Sequence, residues 1–101
     1  MKKENILKEK SFAFALRIVK CNQYLCSEKQ EHILSKQLLR SGTSIGANIR
    51  EAEQAQSKTD FIHKLSIALK EANETEYWLE LLHQSGYLDQ KLFESLNSDC
   101  K

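Results

Sequence analysis

Residues 57–86 read SKTDFIHKLSIALKEANETEYWLELLHQSG. Phe61, Leu65, Ala68, Ala72, Thr75, Leu79 and Leu82 recur within it at spacings of 4, 3, 4, 3, 4 and 3. That alternation keeps small and apolar side chains on one side of a helix and is the seam of a left-handed helical bundle. The stretch carries its own stop and start signals. Ser57 stands where an N-cap belongs, with Asp60 three residues on in the capping-box position. Gly86 supplies the C-terminal stop.

The rest of the chain follows the same logic. It has 101 residues, no proline and three glycines, so little interrupts long helices. Four helices are expected, over about residues 5–27, 30–54, 58–85 and 89 to the end, with Asp89 capping the last. Short connections make successive helices antiparallel neighbours. The expected fold class is therefore all-α: an antiparallel up-down-up-down four-helix bundle with a short fourth helix, in a single domain spanning 1–101. A chain of this size buries only roughly 60–65% of the surface its unfolded form exposes, so a partner subunit would add useful burial.

Helix 2 places Leu34, Leu38, Ser41, Ile45, Ile49 and Ala52 on one face. Helix 1 is apolar on two sides. Phe12, Leu16, Val19 and Cys26 form one stripe, and Phe14, Ile18, Cys21 and Leu25 form another roughly 180–200° away. One small bundle cannot bury both. Helix 3 repeats the pattern, with Ile67, Trp78 and Leu81 away from its main seam. Phe14, Ile18, Leu25, Ile67, Trp78 and Leu81 are accordingly expected at an interface between copies of the chain.

Hydrophobic residues make up 41% and charged residues 29%, ordinary values for a soluble globular protein. No apolar run approaches the ~20 residues needed to span a bilayer. Met1-Lys2-Lys3-Glu4-Asn5 is not followed by an apolar h-region, so no signal peptide is expected. Cys21, Cys26 and Cys100 are too few and too uneven for a disulfide framework. The expected location is cytoplasmic.

The net charge is +1, but residues 1–50 carry +6 (ten Lys/Arg, four Asp/Glu) and residues 51–101 carry −5 (five and ten). Neutralisation of one half by the other, within or between subunits, accounts for this better than a nucleic-acid footprint does.

Enzyme constellations are missing. Glu80-Leu81-Leu82-His83 and Asp60-Phe61-Ile62-His63 echo the Glu-x-x-His of two-metal bundles. Both lie on one helix about 30 Å apart, so they cannot share a site within one chain. Cys21 and Cys26 have no His pair at ligand spacing. Gly42-Thr43-Ser44-Ile45-Gly46 lacks the Gly-Lys-Ser/Thr ending of a phosphate loop and sits in an apolar helical pattern. Gly42 and Gly46, with Ala47, instead suit close approach of another helix. No catalytic residue, cofactor-binding residue, metal ligand or small-molecule substrate is expected, and the protein is read as a non-enzyme.

A polar stripe of Gln37, Arg40, Ser44, Asn48 and Glu51 runs beside the apolar face of helix 2, and Glu71 and Glu74 flank Ile67 and Trp78 on helix 3. Arg40 and Glu51 are too far apart to pair, so each needs an outside partner. Arg40, Ser44, Asn48, Glu51, Glu71 and Glu74 are expected to form a structural polar network. If Arg40 is buried, its loss should cost on the order of 3 kcal/mol.

The stretch Arg40-Ser41-Gly42-Thr43-Ser44-Ile45-Gly46-Ala47-Asn48-Ile49-Arg50-Glu51-Ala52 resembles the core motif of the four-helix bundle proteins known as 23S ribosomal RNA intervening-sequence proteins. Ser57-Lys58-Thr59-Asp60-Phe61 and Ile67-Ala68-Leu69-Lys70-Glu71-Ala72-Asn73-Glu74-Thr75-Glu76-Tyr77-Trp78-Leu79 extend the likeness. It covers most of residues 11–88. Glu51-Ala52 and Lys70-Glu71 stand where many members have Glu-Gly and Gly-Ser, and the fourth helix is short for the family. The resemblance implies an antiparallel bundle assembling as a ring-like homopentamer, with no established enzymatic activity. Some members are encoded inside ribosomal RNA gene insertions. A related accessory variability determinant of diversity-generating retroelements is strongly basic and binds nucleic acid and a reverse transcriptase.

Two functions follow as expectations. The first is an oligomeric scaffold or protein-interaction module, with itself or another protein as partner. The second is an RNA- or DNA-binding oligomer using Lys2, Lys3, Lys8, Lys10, Arg17 and Lys20 on phosphates. Tyr24, Tyr77 and Trp78 would then be available for base stacking, though packing is their expected role.

Overall fold

The computed structural model describes the backbone of residues 2–100 and the side chains of residues 6–100. It is an antiparallel four-helix bundle: α1 (Lys2–Glu28), α2 (Leu34–Glu53), α3 (Lys58–Gln84) and the short α4 (Gln90–Cys100). The molecule measures 43 × 23 × 19 Å. Its long dimension is that of the 27-residue helices α1 and α3, about 40 Å at 1.5 Å per residue.

Three helix boundaries, the start and end of α3 and the start of α4, follow from capping chemistry read in the sequence. Ser57 Oγ accepts from the Asp60 N–H at 3.0 Å at the start of α3. Gly86, at φ +89°, closes α3. The Tyr87 N–H returns to the Leu82 carbonyl at 2.9 Å and the Gly86 N–H to the His83 carbonyl at 3.1 Å, the double bond of a Schellman motif. Asp89 Oδ1 accepts from the Leu92 N–H at 2.8 Å at the start of α4.

The start of α2 differs from expectation, at Leu34 rather than near residue 30. The chain reverses at Gln30, which takes φ +58°. The buried Glu31 then folds its carboxylate onto the open end of α2. Oε2 accepts from the Ile33 and Leu34 N–H groups at 3.2 and 3.0 Å, and Oε1 accepts from the Ser35 N–H at 2.7 Å. The Ser35 hydroxyl donates back to the Glu31 carbonyl at 2.7 Å. Four N–H groups are left open at any helix start, and a carboxylate is the best acceptor for them. Burial alone would raise the Glu31 pKa, but these bonds outweigh it and hold the carboxyl below its ordinary value.

α2 packs along both α1 and α3, α4 sits on α3 and more lightly on α1, and α1 and α3 stand diagonally without close approach. Phe14, Ile18, Cys21 and Leu25 of α1, Leu38 of α2, Leu79 and Leu82 of α3, and Leu88 and Leu96 beside and within α4 form the core. Gly42 faces Ile18, where a Cβ would lie 2.9 Å from both Cγ atoms, and at Gly46 a Cβ would lie 3.3 Å from the Ser11 backbone oxygen. The two glycines therefore let α1 and α2 meet closely, as expected from their place in the motif. Two hydroxyls inside the α2–α3 contact meet each other: Thr75 Oγ1 is 3.0 Å from Ser41 Oγ and 2.7 Å from the Glu71 carbonyl oxygen. Small seam residues of this kind keep helices near, and the hydrogen bonds meet the cost of burying polar atoms. No helix among the described residues is long and apolar enough to cross a membrane.

Candidate functional site

The core stripe of α1 decides which of its two apolar faces is left outside. Phe14 is 5% exposed, and Ile18 and Leu25 are fully buried, so all three belong to the chain's own core. That corrects the expectation that they face a second copy. The outward stripe of α1 is the other one: Phe12 is 51% and Leu16 49% exposed. A signal for the choice lies in the sequence. Glu9 and Gln23 interrupt the Phe12 stripe on the same helical face, whereas Phe14, Ile18, Cys21 and Leu25 run uninterrupted.

Phe12 stands over a groove between α1 and α2 of about 430 Å³. Ser11, Phe12 and Ala15 line one side, and Thr43, Gly46, Ala47 and Arg50 the other. The Arg50 guanidinium lies 5.8 Å from the Phe12 ring centroid, at cation–π range. On α3, Ile67 and Trp78 are half-buried, while Leu81 and Tyr77 are exposed. Tyr77, Glu80, Leu81 and Gln84 line a shallower hollow of about 300 Å³, and Tyr77 meets Trp78 edge to face at 5.1 Å.

Between α2 and α3 lies a polar clamp. Arg40 bonds Glu71 at 3.2 Å, pairs with Glu74, and donates through Nε to Gln37 Oε1 at 3.3 Å. Trp78 Nε1 donates to Glu74 Oε2 at 2.9 Å. The other residues expected in this network are not part of it. Ser44 Oγ donates to the Arg40 carbonyl at 2.6 Å and Asn48 Nδ2 to the Ser44 carbonyl at 2.8 Å, both within α2. Glu51 accepts from Lys64 Nζ at 3.0 Å near the other end of α2.

The Arg40 side chain is 49% exposed, so the buried-charge condition behind a 3 kcal/mol cost does not hold. Partly exposed ion pairs contribute about 0.2–1 kcal/mol. Arg40→Ala is thus expected to lower the melting temperature by only a few degrees. A thermal melt checks this, and a drop beyond roughly 10 °C would show that the clamp matters more than its exposure allows.

The basic residues of α1 are partly committed. Lys8 pairs with Glu53 at 3.5 Å, and Arg17 pairs with Asp99 and donates to Ser95 Oγ at 2.8 Å. Lys10 and Lys20 are exposed and have no ion pair among the described residues, while the side chains of Lys2 and Lys3 lie outside those residues. Tyr24 is partly exposed.

Cys21, Cys26 and Cys100 are free of disulfides. Burial pushes the Cys21 thiol up to about 11 against the lowering charge of Arg17, and burial followed by the charge of Glu76 pushes Cys100 up to about 12. Neither is a ready thiolate. Of the two Glu-x-x-His look-alikes, His83 stacks on Phe93 at 4.4 Å and His63 is exposed, and no group of metal-binding side chains gathers among the described residues.

The model of the 23S rRNA-intervening sequence proteins matches residues 3–101. The chain belongs to that family. It is also similar to a solved structure, at 1.70 Å resolution, of a protein with unknown function from the S23 ribosomal protein family of Bacteroides thetaiotaomicron VPI-5482. The two share 62% identity with a TM-score of 0.96, over 97% of this chain and 88% of that one. No curated protein matches the sequence significantly. Membership brings a fold and a motif, with no enzymatic activity named for the family or for that structure. The motif at 40–52 does two physical jobs in this chain: Ser41, Gly42 and Gly46 set the helix spacings inside the bundle, and Arg40, Ala47 and Arg50 face outward.

Proposed function

We propose that the protein is a non-enzymatic, self-associating helical scaffold whose outer helix faces bind copies of itself and a partner protein. The observation that carries this is the exposed stripe of Phe12 and Leu16 beside the α1–α2 groove. Large apolar side chains grouped over a groove of small residues lose water favourably when another helix packs there, at roughly 25 cal/mol per Å² of apolar area. The pairing of Arg40 with Glu71 and Glu74, and the raised thiol pKa values, favour structural over chemical roles for the polar groups.

Light scattering behind size exclusion tests the reading. A mass of several chains at micromolar concentration is expected, and a clean monomer would sink it. The number five rests on family resemblance, and cytoplasmic location remains part of the same proposal. The alternative, RNA or DNA binding by the N-terminal helix, is weakened by the carboxylates on Lys8 and Arg17. A fluorescence-anisotropy titration of single-stranded and structured RNA decides it. Tight, steeply salt-dependent binding by the intact oligomer would move the function to nucleic acid.

A further inference from the structure

α4 covers only the upper part of the side of the bundle between α1 and α3. It runs for 11 residues, about 16 Å, beside helices of 27 residues and about 40 Å. Roughly 24 Å of that side therefore lies beyond its last turn. There the bundle opens into a trough of about 500 Å³, with Phe14, Ile45 and Ile49 at its floor, Leu7 and Lys10 on its α1 wall and Cys100 at its upper end.

The line that α4 follows can be traced down both neighbouring helices in steps of seven residues. Each step returns to within about 20° of the same direction, a drift that a left-handed bundle takes up. On α1, Cys21 and Phe14 are buried, and Leu7, the next step down, is 44% exposed. On α3, α4 touches His83, stacked on Phe93, and Ala72, whose carbonyl accepts from Cys100 Sγ at 3.4 Å. The steps from His83 pass Glu76 and reach Leu69 and Ile62, which are 65% and 53% exposed. Two walls of large aliphatic side chains thus flank the path of α4 where α4 no longer lies between them. Facing apolar walls along one groove are costly to leave in water and favour a helix laid between them.

The charged groups say what kind of helix. Arg17 pairs with Asp99 and donates to Ser95 Oγ, two residues of α4 that directly precede the packed Cys100 and Leu96. Lys10 stands seven residues before Arg17, holds the same place beside the open trough, and has no ion pair among the described residues. Lys58, in register with Leu65 and Ala72 on the opposite wall, is exposed and has none either. Glu76 stands higher, at the level of Cys100. The walls below that level are cationic, and carboxylates set directly before the apolar positions of an incoming helix would meet them as Asp99 meets Arg17.

We propose that the trough below α4 receives an acidic amphipathic helix of a partner protein, laid end to end with α4 between Leu7 of α1 and Leu69 and Ile62 of α3. This surface is distinct from the Phe12 face offered for self-association, so the two can be tested apart.

The probe is a labelled synthetic peptide of about 16 residues, the length that 24 Å accommodates. It carries leucines at alternating spacings of three and four, with a glutamate directly before every second leucine. Its anisotropy is followed as the full-length protein is added. Saturable binding of one peptide per chain is expected. Leu69→Glu, and separately Lys10→Glu with Lys58→Glu, should each weaken it about tenfold or more, and so should lysine in place of glutamate in the peptide. All three residues are exposed, so the variants keep their fold, which circular dichroism checks. Phe12→Glu should leave peptide binding unchanged whatever it does to the mass of the assembly.

Absence of saturable binding to the folded protein would overturn the proposal, as would binding that Leu69→Glu leaves intact. Binding lost to Phe12→Glu instead would move docking to the α1–α2 groove and overturn the trough as its site. A fall in the mass of the assembly caused by Leu69→Glu without peptide would show that another copy of the chain fills the trough, and would overturn the partner helix.

Discussion

Gly42→Leu should destabilise the protein on the order of 3 kcal/mol, lowering its melting temperature by roughly 12–24 °C. A leucine is a far better helix former than glycine, a gain of about 0.8 kcal/mol that pushes the other way. The clash wins because of what stands opposite. Even a bare Cβ at position 42 would sit 2.9 Å from two carbons of Ile18. Ile18 is completely buried, and its β-branched side chain has few alternative rotamers. α1 and α2 must then move apart, opening the core along its length. Combining Gly42→Leu with Ile18→Ala makes room and should recover part of the loss, an interaction energy of about 0.5–3 kcal/mol in a double-mutant cycle. Equal melting of Gly42→Leu and wild type would mean that the helices do not meet at this glycine.

The second large effect belongs to Glu31, whose capping role has no sequence signature of its own. Glu31→Ala removes the acceptor for three backbone N–H groups at the start of α2, two of them within 3.0 Å. Charge-assisted bonds to a helix start, largely shielded from water, give an expected loss of about 2 kcal/mol. The effect should depend on pH in a defined sense. The folded-state pKa lies below the ordinary value of 4.5, so the unfolded chain takes up a proton first as pH falls. The carboxylate's contribution is complete above that value and is lost as pH drops through the folded pKa. Glu31→Gln, which cannot titrate, should therefore be clearly less stable than wild type at pH 7 and converge on it towards pH 3. Urea unfolding at both pH values measures this. A stability gap that stays constant across that window would show that the Glu31 charge is not what caps α2.

How much was legible beforehand differs by kind of signal. The seam of α3, the cap at Ser57, the stop at Gly86 and the cap at Asp89 are local: each depends on residues within a turn or two, and each was readable as written. So was the close approach at Gly42 and Gly46, because a glycine pair amid helix-forming residues has few other uses. The start of α2 was misjudged because a glutamate reaching forward from a reversed connection has no pattern of its own, unlike Ser or Asp at an N-cap. The Arg40 partners were foreseen as a need, and Glu71 and Glu74 supply them, but their exposure was not, since one sequence does not reveal how far out a helix edge lies.

The amino-acid sequence by itself determined that this chain makes four antiparallel helices, where α3 begins and ends and where α4 begins, and that α1 has more apolar surface than one bundle can cover. Hydrophobic period and capping chemistry are properties of neighbours along the chain, so they need no third dimension. Only the tertiary structure decided which of the two stripes of α1 turns inward. Both are apolar, and the interruption of the Phe12 stripe by Glu9 and Gln23 is a local sign that does not by itself fix which stripe meets α2. Ile18 fits against Gly42, where α2 offers no side chain, and that contact rotates Phe14, Ile18 and Leu25 into the core and leaves Phe12 and Leu16 outside. The face available for function is thus the one left over after the best packing was taken, and packing is a relation between helices that no single helix contains.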